Sequence, residues 1–213
     1  MTQEIGSNRE QFSALLGAAQ QDGIALARGQ GAYMAYFTAS DHQVGASESS
    51  RLAAIGGYED QPSDFKVHLN PEDDQLIPAF TAAVRRARGH SLFRESLHEA
   101  KVWFGGTDEQ YDNLPRIVLY PRNGSELNTL TVVRHALAWL GDMGIRGSGR
   151  TPRFNYPVVE GLCYVAQGSS SDKQEDPTYR EQFDPHFNYA FIRDTSLEMR
   201  VLLDDVANLP WKI

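Results

Sequence analysis

The 213-residue sequence has little cysteine and no long hydrophobic run. Its single cysteine, Cys163, rules out an internal disulfide and a cysteine-rich metal site. Because Cys163 lies in the apolar run 162–166 with no basic neighbour, we expect a buried structural thiol and not a nucleophile. No run approaches the roughly 18 apolar residues of a membrane span, and the polar N-terminus does not resemble a secretion signal. We therefore expect a cytoplasmic protein.

Positive charge is also scarce. The formal net charge is −8, which disfavours general binding to nucleic acids or bilayers, because both carry dense negative charge. Of the 20 basic residues, 16 are arginine and only 4 are lysine, a bias typical of bacterial genes of high GC content. An anionic ligand must therefore meet a local basic site, and each lysine is a candidate for one.

The remaining composition is that of a globular protein. With 41% apolar residues the chain can bury a core, and its length fits one domain better than two. Hydrophobic periodicity predicts helices at 8–28, after 70–74, at 126–140 and at 195–206, and strands at 33–37, 65–70, 101–104, 116–121 and 161–166. We predict a single α+β domain over 1–213, with a mainly antiparallel twisted sheet flanked by helices.

Local signals predict where two of these helices begin. Asn70 is a candidate N-cap with proline in the first turn, although Pro78 then implies a kink or a later start. Ser125 is a candidate N-cap for the helix that we expect to stop at Gly141. We expect loops at 40–63, interrupted by a short helix at 51–55, at 144–157, which is basic, and at 167–178.

Three predicted strands alternate between apolar and polar side chains. A period of two places Lys66 and His68 on one face of their strand, opposite Phe65, Val67 and Leu69. The same alternation separates Lys101 from its apolar neighbours, and Arg116 and Tyr120 from theirs. Ordinary alternation on a half-exposed antiparallel sheet produces the same pattern. If the strands share one sheet, however, these polar groups converge.

The ordered set of short motifs resembles the bacterial phosphothreonine lyases, the OspF and SpvC effector group, which are related to lyase domains of lanthipeptide synthetases. Asp64-Phe65-Lys66-Val67-His68 is similar to that family's Lys-x-His strand, and Lys101-Val102 to its Lys-Val. Leu119-Tyr120-Pro121-Arg122 resembles its Leu-Tyr with a basic residue two places on, and Tyr179-Arg180 a later Tyr-Arg. The resemblance covers 31–185, between an N-terminal helical segment at 1–30 and a C-terminal segment at 186–213.

The resemblance implies roles for the matched residues. Lys101 is the general base, His68 the general acid, and Tyr120 orients Lys101 or donates to the developing enolate. Lys66, Arg122 and Arg180 bind phosphate, with Arg150 or Arg153 as alternatives to Arg180. The family also has an arginine about ten residues before the tyrosine, where this chain has Gln110, which leaves open whether Arg116 takes its place.

These residue types suit β-elimination, which removes a Cα proton and expels phosphate from Cβ without adding water. Lysine acts as the base only if its pKa is lowered by desolvation or neighbouring cations. Histidine titrates near neutrality, which suits a general acid, and arginine matches phosphate with a planar fork of donors. No metal or other cofactor is required in principle.

Three functions follow from the resemblance. We favour a lyase that converts phosphoserine or phosphothreonine in a ribosomal precursor peptide to dehydroalanine or dehydrobutyrine, working with a separate kinase subunit. An effector that acts on host kinases and a non-catalytic phosphopeptide-binding subunit are the alternatives. RNA binding through the arginines of 144–157 is disfavoured by the net charge.

Five histidines and one glycine-rich segment receive no site role. No pair among the remaining histidines has a convincing metal-ligand spacing with a carboxylate, and these are His42, His90, His98, His135 and His186. The glycines of 144–149 lack the Gly-Lys-Ser/Thr sequence of a phosphate loop.

Overall fold

A computed structural model of the chain describes residues 8–28, 34–39, 65–104, 116–122, 125–149, 156–167 and 195–209. The described strands are β1 (Ala27–Arg28), β2 (Met34–Thr38), β3 (Phe65–Leu69), β4 (Leu97–Trp103), β5 (Ile117–Pro121), β6 (Tyr156–Val159) and β7 (Cys163–Gln167). The described helices are α1 (Asn8–Gln21), α2 (Leu76–Gly89), α3 (Ser91–Ser96), α4 (Glu126–Asp142) and α5 (Leu197–Asn208), and a 3₁₀ turn (Asp73–Gln75) precedes α2.

The seven described strands form one sheet in the order β1-β2-β4-β5-β3-β7-β6, with every neighbouring pair antiparallel. The predicted fold class, α+β with an antiparallel sheet flanked by helices, is confirmed. The strand order differs from the chain order at the centre, because β5 pairs with both β4 and β3. Residues distant in sequence are therefore side by side in the three central strands.

Apolar residues of the central strands form the core together with the helices. Phe65, Val67 and Leu69 on β3 are fully buried and belong to one cluster with Phe80 of α2 and Val133 of α4. The same cluster also includes alternate residues of the neighbouring strands, namely Ala100, Val102, Ile117, Leu119, Cys163 and Val165. The helices thus cover one face of the central sheet, and the intervening residues of each strand point to the other face.

The start of α2 decides between the kink and the later start that Pro78 left open, in favour of the later start. The helix does not begin after Asn70, because its N-cap is Gln75 and Pro78 is the third residue of its first turn. Proline is tolerated there, since the N–H groups of the first turn have no partner within the helix. Asn70 instead accepts a hydrogen bond from the backbone N–H of Arg116 through Oδ1 (3.0 Å), and Pro71 forms a bridge with Gly147.

Two other helix ends differ from prediction for a common reason. The helix α1 ends at Gln21 and not near residue 28, because Gly23 adopts a left-handed conformation (φ 63°). Ser125 caps α4 as predicted, with its Oγ accepting from the N–H of Asn128 (3.3 Å). The helix continues past Gly141, however, and the left-handed residue that follows it is Gly144 (φ 62°).

Short elements were missed by the sequence analysis. The short helix α3 was not predicted, β4 begins four residues before the predicted strand, and β6 lies partly within the predicted loop 144–157. The predicted helix at 51–55 and the predicted loop at 40–63 lie outside the described residues, as does the predicted loop at 167–178 apart from Gln167, which ends β7. Among the helices that the structure describes, none is both long enough and apolar enough to cross a membrane.

Candidate active site

The face of the sheet opposite the helices carries the polar residues of the central strands. Cα register pairs Glu99 with Tyr120 and Lys101 with Val118 across β4 and β5, and Val118 with His68 across β5 and β3. Continuing this register and the alternation of each strand to the strand ends gives three rows of three, which we call the polar face. These rows are Glu99, Tyr120 and Lys66; Lys101, Val118 and His68; and Trp103, Arg116 and Asn70.

The middle row contains the two predicted catalytic groups. Val118 of β5 pairs directly with Lys101 of β4 on one side and with His68 of β3 on the other. Directly paired residues of antiparallel strands project from the same face of a sheet, about 5 Å apart at Cβ. Lys101 and His68 therefore flank Val118 on one surface, separated by about 10 Å at Cβ.

The first row places a second lysine beside the predicted tyrosine. Tyr120 pairs with Glu99 of β4. The Nζ of Lys66 lies 5.8 Å from the centroid of the Tyr120 ring, within the range of a cation–π interaction. Lys66 and Tyr120 thus lie next to the middle row, and the alternation predicted for β3 and β5 is what brings them to this face.

The third row lies at one end of the polar face. The Nε of Arg116 donates to the carbonyl of Trp103 (3.0 Å), and its Nη1 lies 2.5 Å from Oδ1 of Asp73. The Arg116 side chain is buried, whereas that of Asp73 is 31% exposed. Arg116 therefore joins β4 and β5 to the 3₁₀ turn, and its proposed contact with phosphate stays a prediction.

Exposure divides the polar face into buried and accessible positions. Glu99 and His68 are buried, at 2% and 9% exposure. Lys66, Lys101 and Tyr120 are half-buried. Both lysine side chains are thus partly accessible to solvent.

Arg122 lies at the end of β5, beyond the first row. Its carbonyl accepts a hydrogen bond from Nδ2 of Asn128 in α4 (2.7 Å), which ties the strand end to the helix. The Nε of Arg122 is buried, and no acceptor for it lies among the described residues. A buried guanidinium N–H without an acceptor is unfavourable, so this position favours an anion.

Two tyrosines extend the middle row. Tyr36 of β2 pairs with Lys101, and Tyr164 of β7 pairs with His68. Tyr164 is fully buried, and its hydroxyl accepts a hydrogen bond from the N–H of Gly161 (2.6 Å). This bond fixes the turn between β6 and β7 and holds an aromatic side chain beside His68.

Two of the predicted phosphate-binding residues cannot be placed. Arg153 and Arg180 lie outside the described residues, as does Arg150, the other alternative to Arg180. The structure brings together Lys101, His68, Tyr120 and Lys66 on one face, with Arg116 at its end and Arg122 beside it. The roles of all eight predicted site residues stay predictions.

Glu99 and Val118 are site residues that the sequence analysis missed. Glu99 stands two residues before Lys101, so the alternation that selected Lys101 also places Glu99 on the polar face. The predicted strand began at residue 101 and excluded it. Val118 received no role in the sequence analysis, and only the register shows that it separates Lys101 from His68.

Two histidines without a predicted role meet on the helical side of the sheet. The rings of His90 and His135 are 4.3 Å apart, and the Nε of Arg86 donates to Nδ1 of His135 (3.3 Å). Burial, followed by the charges of His90, Arg86 and Arg134, lowers the pKa of His135 to about 4. In the described part of the chain, no three His, Cys, Asp or Glu side chains are grouped so as to hold a metal ion.

Comparison with known proteins gives one structural similarity. The chain is similar to the solved structure of the Chromobacterium violaceum VirA (SpvC) phosphothreonine lyase effector protein, with a TM-score of 0.44 and 15% sequence identity. The match covers 75% of this chain and 77% of that one. No family model matches the chain, and no curated protein matches it. We therefore base the function on the residues of the polar face.

Proposed function

We propose that this chain is a phosphoserine/phosphothreonine lyase that expels phosphate from a phosphorylated peptide by β-elimination. The observation that carries the proposal is the middle row of the polar face, in which Lys101 and His68 flank Val118. The reaction requires a base within reach of the Cα proton and an acid within reach of the bridging oxygen, and Lys101 and His68 on either side of one bound side chain supply both.

Lys101 is the base in this proposal. Its neutral amine takes the proton from Cα, and the electron pair of that C–H bond forms the Cα–Cβ double bond. The bond between Cβ and the bridging oxygen breaks, and its electrons leave with the oxygen. Tyr120, one row away, orients the amine or donates to the charge that develops on the substrate carbonyl.

His68 is the acid. Its imidazolium gives a proton to the bridging oxygen as the C–O bond breaks, so that phosphate leaves as a weaker base. Tyr164, the direct partner of His68 on β7, is fully buried. The products of the elimination are phosphate and a peptide that contains dehydroalanine or dehydrobutyrine.

Lys66 and Arg122 bind the phosphate. Both lie at the first-row end of the polar face, and the buried Nε of Arg122 supplies a donor that no described residue uses. Because the whole chain carries a net charge of −8, these local cations must offset a repulsive long-range field. Arg116, Arg153 and Arg180 are further candidate contacts.

The setting of the reaction is also proposed. A lyase of this kind acts on a ribosomal precursor peptide in the bacterial cytoplasm after a separate kinase subunit has phosphorylated it. This setting rests on the motif resemblance and on the arginine-rich composition.

Mass spectrometry of a phosphopeptide incubated with the chain tests the proposal. Synthetic peptides that carry one phosphoserine or phosphothreonine should lose the elements of phosphoric acid and gain a thiol-reactive double bond. Loss of HPO₃ with recovery of the hydroxyl would instead show a phosphatase. Binding of the phosphopeptide with unchanged mass would show a presenting subunit.

Lys101→Ala should lower the elimination rate by about a thousandfold, because a positioned general base contributes about 10²- to 10⁴-fold. Lys66→Ala should mainly weaken phosphopeptide binding. Arg94→Ala, which removes an exposed cation from α3, is the control and should retain the rate. Full activity of Lys101→Ala would reject the mechanism.

A further inference from the structure

Val118 differs from the other eight residues of the polar face. It is the only one of the nine whose side chain has no polar atom, and it occupies the central position. Val118 is 4% exposed and is not part of the apolar cluster that packs against the helices. By alternation its isopropyl group points to the polar face between Lys101 and His68, and we call this group the floor of the face.

The register determines what lies above this floor. Val118 is the direct partner of both Lys101 and His68, with Cβ separations of about 5 Å on each side. In the proposed reaction the amine of Lys101 reaches Cα, and the imidazole of His68 reaches the oxygen on Cβ. The Cα–Cβ bond of the substrate must then lie between these two side chains and directly over Val118.

We propose that Val118 sets the selectivity of this chain between phosphoserine and phosphothreonine. The two substrates differ by one methyl group, which phosphothreonine carries on Cβ. Since Cβ lies over Val118, the volume of residue 118 controls the room for that methyl group. This inference rests on the proposed function and specifies its substrate.

The expected effect is large enough to measure. One methyl or methylene group in an apolar pocket changes kcat/KM by about 10- to 200-fold. Val118→Ala removes two methyl groups from the floor and adds room above it. Val118→Ile adds one methyl group and takes room away.

The experiment uses two synthetic peptides that are identical except for one phosphoserine or phosphothreonine. For each enzyme we compare kcat/KM for phosphothreonine with kcat/KM for phosphoserine. Val118→Ala should raise this ratio by about tenfold or more, and Val118→Ile should lower it by a similar factor. Because the two variants change volume in opposite directions, failure of one to fold leaves the other to decide.

Val102→Ala is the matched control. Val102 lies on the neighbouring strand β4, is fully buried on the helical face and pairs with Ile117. Its truncation should lower stability and leave the ratio between the two peptides unchanged.

The possible failures are distinguishable. A wild-type chain that eliminates phosphate from neither peptide would overturn the proposed function and this inference together. A wild-type chain that eliminates phosphate, with both Val118 variants keeping the wild-type ratio within about twofold, would overturn the role of Val118 alone.

Discussion

The imidazole of His135 is buried where three helices meet, against the guanidinium of Arg86 in α2 and the ring of His90 at the start of α3. Its pKa is lowered from 6.5 to about 4, mainly by burial and then by the charges of His90, Arg86 and Arg134. Folding therefore holds this histidine neutral at pH values where the unfolded chain would protonate it.

Stability should fall as the pH falls through the window from about 6.5 to about 4, because the unfolded state binds more protons there. His135→Gln removes this titration and keeps an acceptor for Arg86. The loss of unfolding free energy between pH 7 and pH 5 should be smaller in the variant by about 2 kcal/mol. Urea denaturation at both pH values measures it.

Arg94→Gln, a change at an exposed site on α3, serves as the control and should keep the wild-type pH dependence. Identical pH dependence in His135→Gln and the wild type would contradict the assignment. The sequence did not indicate this contact, because His90 and His135 belong to different predicted elements and no local spacing connects them.

Arg116 connects separate elements at one end of the sheet. Its side chain joins the carbonyl of Trp103 at the end of β4 to Asp73 in the 3₁₀ turn, and its backbone N–H donates to Asn70 after β3. The guanidinium is nearly inaccessible to solvent. Without this side chain, Oδ1 of Asp73 and the carbonyl of Trp103 lose the hydrogen bonds that Arg116 donates.

Arg116→Met should lower the free energy of unfolding by about 3 kcal/mol, the magnitude expected when one partner of a largely buried ion pair is removed. The midpoint of urea unfolding at constant slope measures this loss. Arg146→Met is the matched control, because Arg146 and Glu72 form a pair of similar geometry that is exposed to solvent. If both substitutions lowered the free energy of unfolding equally, burial of the Arg116 ion pair would not explain its contribution to stability.

Elements with strong local signals were predictable, and their pairing was not. Alternation of apolar and polar residues identified β3 and β5, and Ser125 identified the start of α4. Both signals are local, because the hydrophobic period and the N-cap residue are read from neighbouring positions in the sequence. The position of β5 between β3 and β4 depends on contacts across the whole sheet. The three rows of the polar face, including Glu99 and Val118, could therefore not be derived from spacing alone. The edge strand β6 escaped prediction because it is short and contains Pro157.

The distribution of charge determines how the chain as a whole interacts with anions. The chain has a net charge of −8, yet Lys66, Lys101 and Arg122 are on or beside one face of the sheet. A long polyanion meets the repulsive field of the whole chain, whereas a single phosphate interacts mainly with the local cations. The charge distribution therefore favours a small anionic ligand over a long polyanion such as RNA.

Phosphopeptide binding to the Lys101→Ala variant should weaken by about tenfold as ionic strength rises from about 0.01 to 1 M, because the screening length shortens from about 30 to 3 Å. Fluorescence anisotropy measures this affinity without turnover. The unphosphorylated peptide is the control and should show little binding at any salt concentration. Binding of a single-stranded RNA more tightly than the phosphopeptide would contradict the proposal.

Cys163 gives the chain a native reporter of core opening. It is fully buried in the core on β7, opposite Leu69 of β3, and burial raises the pKa of its thiol to about 12. Since the thiolate is the reactive form, sulfhydryl reagents should modify the folded chain only when the packing around β7 opens. The rate of alkylation therefore measures how often the core beneath the central sheet opens, without an introduced label.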